Sequence, residues 1–84
     1  SPKEELIEKI KHLLTAREQF TKQSVSIQNA MKAYEKHVIQ VPLIVNAHRD
    51  SLKEIKKHIS NIDKELNRII KQNPKIHNIN NTLK

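Results

Sequence analysis

Five histidines and nine carboxylates are the side chains that could do acid–base or metal chemistry in this chain of 84 residues. The histidines are His12, His37, His48, His58 and His77. Two histidines one helical turn apart can share a zinc ion. No histidine here stands four residues from another, so no metal site is expected. The carboxylates read instead as partners of basic residues, in Glu5–Lys9, Glu18–Lys22, Glu54–Lys57 and Glu65–Arg68. Such helix-surface pairs each stabilise by roughly 0.2–0.5 kcal/mol. The chain has no cysteine, which excludes disulfides and thiolate metal ligands. It has no glycine, and so no loop of the kind that cradles phosphates. Neither an enzyme nor a cofactor is expected.

The remaining chemical signal is charge. The formal net charge is +7. Lys22, Lys36, Lys57, Lys64 and Lys71 recur at multiples of seven, with Lys11, Lys32 and Lys53 beside them. On one continuous helix they would form a basic back able to contact phosphates or another anionic surface. No aromatic residues interleave for base stacking, and acids interrupt the stripe. A solvated face is the plainer reading.

The elements that must carry these side chains are helices. About six glycines would be usual in a chain of this length; their absence disfavours strands, bulges and tight turns. Ser1, Pro2 and Glu4 have the spacing of a capping box with proline at the first helical position. Glu4, Glu5 and Glu8 then lie near the positive end of the helix dipole. From Leu6 onward, alternating steps of four and three visit Leu6, Ile10, Leu13, Arg17, Phe20, Ser24, Ile27, Met31, Tyr34, Val38, Val41, Val45, His48, Leu52, Ile55, Ile59, Ile62, Leu66 and Ile69. Sixteen of these 19 are apolar; Arg17, Ser24 and His48 are not. With Leu6 at d, this is a heptad register over residues 1–72, the pattern of a coiled coil or helical bundle. The five lysines fall at f, and Ile7, Leu14 and Ile70 at e widen the apolar stripe. Arg17 and Ser24 at a weaken the first half of the seam or fix its register.

The register continues through "VIQVPLIV" at 38–45, although Pro42 cannot sit unharmed inside a helix. The expected elements are helix 2–40 and helix 42–72, with a break or kink at Val41–Pro42. Two shapes satisfy this. One is a bent rod, which the continuous register favours. The other is an antiparallel hairpin reversing near 41–50, where "NAHRDS" (46–51) resembles a turn, with Phe20 opposite Leu66 and Ile27 opposite Ile59. Because 38–45 is apolar all round, other helices are expected to enclose it; the alternative is an exposed patch awaiting a partner. Residues 73–84 are expected to form a frayed, Asn-rich tail.

The functional expectation is a structural coiled-coil module, intracellular, that oligomerises or joins a larger complex. Leu at a with Ile at d across 52–69 favours three or four strands, or a dimer of hairpins, over a simple zipper. The alternative is non-specific nucleic-acid binding through the lysine face. No membrane span is visible.

Overall fold

The computed structural model describes residues Ser1–Asn73. Its architecture is all-α: helix α1 (Pro2–Glu35) and helix α2 (Pro42–Gln72) pack against each other. The chain reverses between them, so the hairpin is the observed shape and the bent rod is not. Ser1 caps α1, its hydroxyl accepting from the Glu4 backbone N–H while the Glu4 side chain reaches back to the Ser1 nitrogen. No helix among the described residues is long and apolar enough to cross a membrane. The tail from 74 onward lies outside the described residues.

The reversal occupies 36–41, earlier than the 41–50 expected from turn-like residue types. Helix α1 stops at Glu35, short of the 2–40 span, and "NAHRDS" lies inside α2. Ser51, in a capping-box spacing with Glu54, is likewise interior to α2 and caps nothing. Glycine is absent from the sequence, and no described residue takes a positive φ. Side chains hold the corner instead. The backbone tightens as Lys36 N–H donates to the Ala33 carbonyl (3.3 Å) and His37 N–H to that of Tyr34 (3.0 Å). Gln40 Nε2 donates to the Glu35 and His37 carbonyls (2.9 and 3.3 Å), which satisfies oxygens left over at the end of α1. The Tyr34 hydroxyl accepts from the Val41 N–H (2.7 Å). Val41 is extended (φ −85°, ψ 119°), as a residue preceding proline is pushed to be. Pro42 therefore opens α2 at a position where its missing N–H costs nothing.

Of the 19 positions in the four–three series, all except Val38 and Val41 lie inside the helices, and every one of those is buried or half-buried. All the residues at b, c and f are exposed. The stripe is thus directed at the other helix of the same chain. The pairing is offset from the hairpin considered above: Phe20 lies against His58, ring centroids 5.2 Å apart, rather than opposite Leu66. Coverage is shallow. Among the described apolar residues only Ile55 (8% exposed) and Ile69 (4%) are buried. Ser24 is the buried polar residue, and its hydroxyl donates to the Thr21 carbonyl (2.7 Å). A small residue with its hydroxyl satisfied on its own helix lets α2 approach closely, so Ser24 does not leave an unpaired group in the seam.

Two stability outcomes follow from this packing. Ile55→Ala removes a buried side chain and should cost about 2–3 kcal/mol, whereas Lys57→Ala, at an exposed f position, should stay within about 0.5 kcal/mol; urea melts followed by circular dichroism compare them. Tyr34→Phe should cost about 0.5–1 kcal/mol by orphaning the Val41 N–H, read as a lower midpoint in the same melts.

Candidate functional site

Arg17 and Asp63 make the one side-chain ion pair between the helices among the described residues. Arg17 Nε donates to Asp63 Oδ1 at 2.6 Å, and Nη2 to Oδ2 at 3.3 Å. The guanidinium fork meets the carboxylate with both arms, a geometry that fixes rotation and register together. Arg17 arises from an a position of α1 and Asp63 from an e position of α2, so the fork closes over the flank of the seam. The Arg17 hydrogen bond holds the Asp63 carboxyl below the usual carboxylate range and pushes the guanidinium up from its own. The sequence marked Arg17 as an intruder in the stripe. It could not show the partner, because the pair joins residues 46 apart.

In an antiparallel pair with facing seams, the two e positions share one flank and the two g positions the other. Toward the open end of the hairpin these flanks differ. The g flank is polar. There a shallow groove has Leu6, Leu13 and Ile69 as floor and Lys9, Glu65 and Arg68 on its rims. Glu65 is held below its usual range chiefly by the hydrogen bond from Arg68. Arg68 also donates to Gln72 (2.9 Å). The e flank carries Ile7 and Leu14, both exposed, and on α2 half-buried Ile70, with the Arg17–Asp63 fork next along it.

The tip is the other unusual surface. Val38 is 100% exposed, Ile39 82% and Leu43 77%; Val41 and Ile44 are also exposed. Helices of this chain do not enclose 38–45, so within the single chain this stretch is the open apolar patch. Only Val45 turns half inward.

The reversal also divides the lysine back. Lys22 and Lys36 lie on the outside of the α1 half, and Lys57, Lys64 and Lys71 on the outside of α2, facing opposite ways from the shared seam. All five are exposed, and Lys22 pairs with Glu18 at 3.3 Å. His48 is half-buried on the seam. His58 stacks near Phe20, with its Nε2 3.8 Å from Glu54 Oε1. Spacing alone pairs Glu54 with Lys57, three residues on; in the structure Glu54 lies beside His58, four residues on. Among the described residues no three His, Asp or Glu side chains come together as metal ligands.

Comparison with known proteins finds no matching family model, no similar curated protein and no similar solved structure.

The Arg17–Asp63 pair has a pH signature. A carboxyl whose folded-state value is depressed stabilises the fold fully above its unfolded value, near 4, and loses that contribution as the pH falls through the lower folded value. Glu65 acts in the same sense. Thermal melts should therefore drop between neutral pH and about pH 3, and Asp63→Asn should reduce that drop while lowering stability at neutral pH. An acid sensitivity unchanged by Asp63→Asn would remove the pair from this role.

Proposed function

We propose that this chain is a structural, non-catalytic assembly module whose hairpin completes its core against further helices. The observation behind the reading is the half-covered seam. Two helices of 34 and 31 residues bury just two apolar side chains between them. A helix with one neighbour covers one side of its stripe, and the residues at its margin stay wet. Ile7, Leu14 and Ile70 extend that margin along the e flank. A second hairpin laid on this flank would make four helices. The Arg17–Asp63 pair on this flank is already matched within the chain, so its charges need no partner from the second hairpin.

Nucleic-acid contact remains a second reading, on one specific ground: Lys57, Lys64 and Lys71 are exposed along a single edge of α2. Binding of this kind is electrostatic and should fall steeply with salt, without sequence preference. The lysines on α1 cannot join the same contact, since they face away.

Sedimentation equilibrium across a concentration series tests the assembly reading. The chain should self-associate, and Leu14→Asp should shift it to monomer while far-ultraviolet circular dichroism stays helical, because Leu14 is already exposed in the single hairpin. A monomer with cooperative, concentration-independent melting would overturn the reading, as would unchanged association of Leu14→Asp.

A further inference from the structure

We propose that the hairpin tip inserts into an anionic lipid surface. The tip combines an apolar cap with a basic collar. The cap is Val38, Ile39, Val41, Leu43 and Ile44, all exposed. Leu43 and Ile44 are consecutive in α2 and so point about 100° apart, while Val38 and Ile39 precede them in the turn. The apolar surface therefore wraps around a convex end. A flat protein face or a second helix could cover one side of such an end and would leave the other in water. A fluid interface closes around it on every side.

The collar decides what kind of surface. Between residues 32 and 53 the basic side chains are Lys32, Lys36, Arg49 and Lys53, against the acids Glu35 and Asp50. The first turn of α2 holds no acidic residue. Arg49 lies seven residues into α2, roughly 10 Å behind its start at 1.5 Å per residue. Lys32 lies a turn behind the end of α1. That spacing suits a cap immersed at the boundary of the acyl chains with cations at the level of the headgroup phosphates, where anionic lipid attracts them. A second copy meeting tip to tip would instead bring two basic collars together. The Lys36, His37 and Val41 N–H groups are bonded within the chain and Pro42 has none, while the N–H groups of Val38, Ile39 and Gln40 keep their access to water and headgroups, which holds the tip at the interface. With no helix fit to span a bilayer among the described residues, the contact is peripheral.

The test is flotation of the full chain with phosphatidylcholine vesicles, with and without phosphatidylserine. Oligomeric state is measured on the same samples, which separates this result from the assembly reading. The chain should float with the phosphatidylserine vesicles and little or not at all with the neutral ones. Ile39→Asp and Leu43→Asp together should weaken that binding roughly ten-fold or more, with helicity retained because both residues are exposed. Lys36→Glu with Arg49→Glu should also weaken it. Equal binding by the tip variant would mean the lysines along the rod act alone, and overturns the proposal. So does absence of binding to anionic vesicles, or conversion of an oligomer to monomer by the tip substitutions without any vesicle binding, which would make the tip a contact between copies.

Discussion

A helix with a single neighbour can keep only one narrow stripe dry, and both helices of this chain live under that restriction. The alternating four–three spacing puts Leu, Ile and Val on the stripe from Leu6 to Ile69. Facing a single partner, most of these side chains reach only partial burial, and the core shrinks to Ile55 and Ile69. The rest of the molecule can be understood from that shortage. α2 gathers its apolar residues sharply on one face, while α1 spreads them more widely and so retains Ile7, Leu14 and Val25 in contact with water. A chain this short, without disulfides, has few other sources of stability.

Polar contacts supply the specificity that a shallow core cannot. Apolar stripes at heptad spacing slide past one another in steps of seven at modest cost. Arg17 and Asp63 select one of those offsets with a two-armed fork, and Ser24 marks a place where the helices come close. At the corner, Tyr34 and Gln40 satisfy the backbone groups that a glycine-based turn would settle by taking a left-handed conformation.

Helical class and the covered face were legible in the sequence because both depend on local periodicity, and the start of α1 because a capping box is a local motif. The direction of the chain after Glu35 was not. Extension of the heptad phase through Val38 and Val41 reflects apolar residues placed for the tip, where no seam exists, so a continuous register argued for a rod that the chain does not form. The corner is hidden in the sequence for a related reason. Its bonds come from a Tyr in the last turn of α1 and a Gln, residue types that carry no turn signal. The partner of Arg17 was equally hidden, since an ion pair across a reversal depends on an offset that spacing within either helix does not contain.

The distance along the chain between touching residues grows steadily away from the corner. The Tyr34–Val41 bond joins residues 7 apart, and the Arg17–Asp63 pair residues 46 apart. Closing short loops costs less entropy than closing long ones, so ordering is cheapest at the corner and proceeds outward like a zip. The same topology gives the hairpin a mechanical direction. Ser1 and Asn73 lie at one end, and a force drawing them apart loads the contacts one after another, beginning with Leu6 and Ile69, instead of all together. Such a hairpin is weak to peeling from its open end and strong to forces along its axis.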